Sequence, residues 1–132
     1  MQIFASFVLI IKDGLVCATT REDGRIGLPG GKCEPGESAY HTAIREASEE
    51  GWQIDPNETG IQLLVQLVDG RPVSWFLFKS NVKVTQLTDH QESNRGINPI
   101  LVPIDEFRTS GFGNDIALDL AIPLLEWWTP TN

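Results

Sequence analysis

A chain of 132 residues and 14.6 kDa has the length of one domain, residues 1–132, and a globule of that size buries roughly 68–70% of the surface its unfolded chain exposes. Ten basic against 18 acidic residues give a net charge of −8, which argues against an unaided grip on a nucleic-acid polymer or an anionic membrane surface. With 41% hydrophobic and 21% charged residues the chain is not disordered, and an anionic partner would need positive charge supplied locally, most simply by a metal ion.

The β-branched and aromatic run from Ile3 to Ile11 predicts a strand that stops at Asp13-Gly14. Leu15 to Thr20 resumes it, and Asp-Gly between two such runs is a hairpin signal. The first run is too short to span a bilayer and has no basic leader, so a cytoplasmic protein is expected. Cys17 and Cys33 form neither a disulfide framework nor a zinc spacing; Cys17, in a strand pattern, is expected to be buried. Arg21 to Arg25 reads as a polar turn and Ile26 to Gly36 as a loop dense in Gly and Pro. Ser38 to Glu50 reads as a helix, with Ser38 as N-cap and Gly51 as stop signal.

Beyond a loop at Asp55-Pro56-Asn57, Ile61 to Val68 and Val73 to Lys79 predict a second strand pair, turned by Asp69-Gly70-Arg71-Pro72. Val82 to Leu87 continues this pattern or forms a further strand, and Thr88 to Pro99 has no clear period. Ile100 to Val102 predicts a short strand leading into a helical turn over 103–107. Asp115 to Trp128 has helical spacing, with Ile116, Leu120 and Leu124 on one face and Pro123 as a kink or a fresh start. Trp75, Phe76 and Phe78 read as core and sheet-face residues; Trp127 and Trp128 read as packing or as a dimer contact, leaving monomer and homodimer both open. Strands on both sides of a central helix, followed by a terminal helix, predict an α/β protein with one mixed sheet covered on both faces.

Chemistry concentrates in Gly31–Glu50, GKCEPGESAYHTAIREASEE. Glu46, Glu49 and Glu50 stand at i, i+3 and i+4, so all three share one helix face, with Tyr40, Ala43, Ile44 and Ala47 on the neighbouring arc. Each like-charged i,i+4 pair costs roughly 0.2–0.5 kcal/mol, and acids in a last turn oppose the helix dipole. Such a face is either a solvated acidic surface or the oxygen cluster that a hard cation such as Mg²⁺ requires. Gly30-Gly31 lets backbone approach a phosphate or metal, Glu37 adds an acid at the helix entrance, and Arg45 is placed to pair with Glu37 and orient the carboxylates.

Gly31, five residues, Glu37, seven residues, then Arg45-Glu46-Ala47-Ser48-Glu49-Glu50 resembles the Nudix box of the Nudix hydrolases, with Leu28-Pro29-Gly30-Gly31-Lys32 similar to its usual lead-in. The pattern departs at its end: Gly51 follows Glu50 directly, Trp52 and Gln53 stand where Gly and an aliphatic residue are expected, and Ala47 is small for its aliphatic position.

The resemblance implies the Nudix α/β/α sandwich and hydrolysis of a nucleoside diphosphate linked to another group, with Mg²⁺ or Mn²⁺ as cofactor. Carried over by position, Glu46, Glu49 and Glu50 hold the metal, Glu37 assists directly or through water, and the Gly30-Gly31 backbone completes the site. Glu49 or Glu50 is the first choice of general base, acting beside Arg45, and Glu92 the second. Gly113-Asn114-Asp115-Ile116 resembles the base-reading segment of MutT-type members; Asn114 and Asp115 then read a purine edge, or cap the last helix. Arg21 meets phosphate or base, or is a surface cation, and Phe112 stacks on a base or closes the core. The expected partner is a small nucleotide, foremost a nucleoside triphosphate. ADP-ribose, a nucleotide sugar, a dinucleoside polyphosphate and a non-catalytic nucleotide binder are the alternatives.

Overall fold

The computed structural model describes residues 2–110 and 115–128, without the side chains of Ser110 and Asp115. In chain order the strands are β1 (Ala5–Leu9), β2 (Ile11–Lys12), β3 (Leu15–Thr20), β4 (Ile26–Gly27) and β5 (Gly30–Lys32). The helix α1 (Ala39–Glu49) follows, then β6 (Trp52–Ile54), β7 (Ile61–Val68), β8 (Arg71–Leu77), β9 (Val84–Gln86) and β10 (Pro99–Pro103), with a 3₁₀ turn over Ser93–Arg95. Two helices, α2 (Ile104–Ser110) and α3 (Asp115–Trp127), end the described chain.

One sheet runs β5-β1-β8-β7, parallel between β1 and β8 and antiparallel at its other pairings, so the expected mixed sheet is present. The expected single sheet is nevertheless divided. The Ile3–Ile11 run breaks at Ile10: its first half pairs with β8, while β2 turns away to pair with β3, which in turn pairs with β10 and β4. A third, two-stranded sheet joins β6 to β9.

Period-two alternation sorts the side chains into two cores. Val8, Ile10, Phe76 and Phe78 lie on the side covered by α1, packed with Ala43, Ala47 and Trp52. Leu9, Ile11, Trp75 and Leu77 face the other way, toward Phe107 of α2 and Ala117, Leu118 and Ala121 of α3. Helices on both faces make the α/β/α sandwich. Ala47 is fully buried, and its small side chain lets α1 lie close on the sheet, while Tyr40 sets its ring edge against Phe76 at 5.1 Å.

Local chemistry accounts for the boundaries. Asp13 and Gly14, and again Asp69 and Gly70, all have positive φ, the requirement of a two-residue type I′ hairpin. The second turn is therefore tighter than expected, and β8 begins at Arg71 instead of Val73. Ser38 caps α1 by accepting from the His41 N–H at 3.1 Å, and Glu50 is the C-cap.

Gly51 explains the early end of the box. Its φ is +105°, and a Cβ there would lie 2.6 Å from the Pro99 ring. Trp52 then turns inward and donates its indole N–H to the Ala18 carbonyl at 2.7 Å, filling the place where the family pattern has Gly. Gly51→Ala is expected to cost about 2 kcal/mol or more in a denaturant melt, with the helix content preserved.

One expectation about the glycine-rich stretch needs correction. The Ile26–Gly36 stretch is not all loop: β4 and β5 are backbone pairings whose glycines carry no strand-like side-chain pattern. On α3 Ile116, Leu120 and Leu124 share one face, as their spacing predicts, and that face is exposed, at 52%, 45% and 43%. The helix buries Ala117, Leu118 and Ala121 instead, because small residues let it pack closely, and it runs through Pro123 to Trp127.

Candidate active site

β5 lies beside β1, and α1 packs over it, so the loop glycines meet the acidic end of the helix. At Gly31 a Cβ would sit 2.5 Å from Glu46 Cδ and 2.6 Å from its Oε2. The missing side chain is what lets the Glu46 carboxylate rest on the strand. One residue earlier, the Gly30 N–H donates to Glu50 Oε1 at 3.0 Å. A Cβ at Gly30 would meet the Ser6 carbonyl oxygen and the Phe7 ring, both at 2.4 Å.

Arg45 organises the other carboxylates. Its Nε and Nη2 donate to Glu37 Oε2 and Oε1 at 2.7 and 3.0 Å, a bidentate pair. Its Nη1 donates to Glu46 Oε1 at 3.0 Å and to Glu49 Oε2 at 2.7 Å, and its Nη2 also reaches the Lys32 carbonyl at 3.2 Å. Glu37 further accepts from Thr42 Oγ1 at 2.6 Å and from the Glu34 N–H at 3.1 Å. The Arg45 guanidinium, with the Thr42 hydroxyl, holds the Glu37 carboxyl far below the usual carboxylate range, and Glu37 in turn raises Arg45. Both Glu37 oxygens accept hydrogen bonds, and the bidentate pair fixes the plane of the Arg45 guanidinium.

A cavity of about 530 Å³ opens beside this network, lined by Gly31, Glu46, Glu50 and Glu92 on its acidic side and by Arg21, Lys32 and Arg95. Glu50 is only 5% exposed, and burial pushes its carboxyl up to about 8 despite the Gly30 hydrogen bond, with Glu46 and Glu92 adding to the rise. Burial also raises Glu46, opposed by Arg45 and reinforced by Glu49 and Glu92.

Glu92 is delivered by the aperiodic 88–99 segment. Its N–H donates to the Glu49 carbonyl at 3.0 Å, anchoring the segment on the end of α1. Arg95 donates to Glu92 Oε2 at 2.6 Å and pairs with Glu22 across the same cavity. Glu49 does not line the cavity: Arg45 holds its Oε2, and Gln91 Nε2 reaches its Oε1 at 3.4 Å. Among the described residues, no three His, Cys, Asp or Glu side chains are drawn together as a ready metal cage.

Arg21 also lines a second cavity, of about 290 Å³, walled mainly by Phe4, Phe7, Leu28, Val73 and Trp75 with Asp69 and Arg71 at the hairpin end. The Phe7 and Trp75 rings are stacked with centroids 5.9 Å apart, and the indole Nε1 of Trp75 is buried without a partner. Trp75 is therefore both core and cavity wall. The sequence pattern favours a core and sheet-face role over a base platform, since period-two burial does not distinguish a wall from an interior. Phe112 and Asn114 lie outside the described residues, and Asp115 is described only as the first residue of α3.

A model described as the NUDIX domain matches residues 3–114. No curated protein matches the chain. Among solved structures it is similar to MutT as described for the fish pathogen Aliivibrio salmonicida and the mesophile Vibrio cholerae, with a TM-score of 0.70 and 21% identity over 94% of this chain and 99% of that one. It is also similar to the MutT NUDIX hydrolase of Burkholderia pseudomallei, with a TM-score of 0.64 and 19% identity over 98% and 100%. A structure named as an ADP compounds hydrolase gives a TM-score of 0.62 and 16% identity over 93% and 71%. With a family model spanning most of its length and the box residues drawn together on β5 and α1, the chain belongs to the NUDIX domain family and is a Nudix hydrolase.

Proposed function

We propose that this protein is a MutT-like pyrophosphohydrolase that uses Mg²⁺ or Mn²⁺ to cleave a nucleoside triphosphate, an oxidised or otherwise non-standard dNTP among them, to the monophosphate and pyrophosphate. The observation that carries this reading is the pair of cavities sharing Arg21: one floored by carboxylates, the other walled by stacked aromatic rings. A polyphosphate with its cations suits the first and a nucleobase the second. No helix of the described residues is long and apolar enough to cross a membrane, and the two cysteines are unpaired thiols, which suits a cytoplasmic setting.

The donor set fits a hard divalent ion. Glu46 rests in the cradle that only a glycine at 31 permits, and Glu50 is buried beside two further acids, an arrangement that favours cation uptake. Glu46, Glu50 and Glu92, which line the cavity, would hold the metal together with the Gly31 backbone, and Glu37 and Glu49, held by Arg45, would join through water. Divalent ions, when bound, neutralise the phosphates and lower the pKa of an attacking water. Arg21 and Lys32 hold the phosphate chain against the acidic floor. Glu50 accepts the proton of the water as its oxygen bonds to phosphorus and the anhydride P–O bond breaks, releasing pyrophosphate; Glu49 and Glu92 are the other candidates for that proton. Arg45 and Glu37 keep the carboxylates in place without touching substrate. Arg21 borders the base as well as the phosphates, and Phe112, Asn114 and Asp115 are proposed to complete recognition of the base.

The test is a product assay over dNTPs including 8-oxo-dGTP, ADP-ribose, nucleotide sugars and dinucleoside polyphosphates, with and without Mg²⁺ or Mn²⁺. Metal-dependent pyrophosphate release from a dNTP should dominate. Faster cleavage of ADP-ribose or a dinucleoside polyphosphate overturns the triphosphate assignment, and tight binding without turnover makes the protein a nucleotide binder. Mg²⁺ with a non-hydrolysable triphosphate should raise the melting temperature of the protein, and Glu46→Gln should abolish that rise.

A further inference from the structure

Nine large apolar side chains are exposed among the described residues, and eight of them lie on two elements that pack together, β7 and α3. β7 contributes Ile61, Val65, Leu67 and Val68, at 41–66% exposure. α3 contributes Ile116, Leu120, Leu124 and Trp127, at 43–86%; their spacing of i, i+4, i+8 and i+11 makes one stripe. Trp127 is the most exposed of all, at 86%, so its tail position is not a packing position.

Among the described residues β7 is also the end strand of its sheet, paired only to β8. Its eight residues, IQLLVQLV, include no charge, no Pro and no Gly, the devices by which exposed edges are usually blunted. A bulge between Gln62 and Leu64 disturbs one end, but from Leu64 to Val68 the register is regular. An unpaired, apolar edge of this kind calls for another strand.

We propose that β7 pairs antiparallel with β7 of a second copy of this chain, forming a two-fold dimer in which the two four-stranded sheets run on as one and α3 brings its stripe to the same seam. Three observations select this occupant. An edge strand is its own complement under a two-fold axis, so no other sequence is needed. The chain carries a net charge of −8, and the uncharged length of β7 lets two copies meet without bringing like charges into register; a basic or acidic partner would find nothing there to pair with. Ile61 and Val68 lie on the α3 face of the sheet and Val65 and Leu67 on the opposite face, so the edge offers a second copy an apolar pair on each face. Val68, at the end of β7, borders the second cavity, whereas Val65 and Leu67 line neither, so substitutions at those two positions test the dimer apart from the proposed reaction.

Sedimentation velocity and light scattering on the intact protein test it. The wild type should have twice the mass of the chain in the micromolar range. Val65→Lys with Leu67→Lys sets like charges across the seam and should weaken the dimer by about 100-fold or more. The pair Val65→Glu with Leu67→Glu should do the same, and mixing the two variants should restore the dimer. Circular dichroism of each variant should match the wild type. A monomeric wild type overturns the proposal, as does a dimer indifferent to either substitution pair.

Discussion

Glu50→Gln is expected to lower kcat by about 10²-fold or more while the fold persists. Gln keeps the shape and can still accept the Gly30 N–H that Glu50 Oε1 accepts at 3.0 Å, so the loop and helix stay joined. The negative charge and the capacity to take a proton are lost. A second readout separates this from damage to the fold. In metal-free protein Glu50 has its folded-state pKa pushed from an ordinary 4.5 up to about 8, chiefly by burial. The folded state therefore holds a proton that the unfolded state gives up. The stability this confers is complete below about 4.5 and is lost as pH rises through about 8. Gln cannot ionise and escapes that loss, so the metal-free variant should melt increasingly above the wild type across this window. Calorimetric melts from pH 4 to 9 with chelator present, beside kcat in Mg²⁺, read both effects. A folded variant that turns over at the wild-type rate removes Glu50 from the mechanism.

The box was legible because its chemistry is local. Glu46, Glu49 and Glu50 share a helix face by spacing alone, and Ser38 and Gly51 mark the two ends of that helix by residue type. The pairing of Arg45 with Glu37 was also foreseeable, since residue 37 precedes the helix and residue 45 lies two turns into it. The rest of the site depends on long-range contacts that no period encodes. Glu92 enters the cavity only because its N–H finds the Glu49 carbonyl, forty-three residues away in the chain. β5 owes its strand to the close approach of Gly30 and Gly31 to β1, and glycine leaves no hydrophobic pattern to read. Which face of α3 is buried was not legible for a related reason. Leu and Ile carry the stronger hydrophobic signal, yet Ala117 and Ala121 allow the tighter contact, and the larger residues remain outside.

Arg45→Ala is expected to lower kcat by about 10²-fold with the nucleotide KM nearly unchanged, and Arg45→Lys to recover only part of the loss. The guanidinium satisfies three carboxylates at once: Glu37 through Nε and Nη2, Glu46 and Glu49 through Nη1. An ammonium is a single point and cannot reproduce that planar fork. With Ala, Glu46 and Glu49 lose their shared donor, and carboxylates displaced by as little as about 1 Å lose the geometry that in-line attack requires. Arg45 lines neither cavity, which is why the cost should fall on kcat and on metal affinity and not on nucleotide binding. The melting temperature should also fall, because the Glu37 side chain, only 8% exposed, loses the bidentate guanidinium and keeps the Thr42 hydroxyl and Glu34 N–H as hydrogen-bond donors. Mg²⁺ titration by calorimetry with a triphosphate analogue, run beside steady-state kinetics, distinguishes the cases. An Ala variant with weakened metal uptake and an intact KM identifies Arg45 as the residue that positions the carboxylates. A raised KM with unchanged kcat would instead place Arg45 on the substrate.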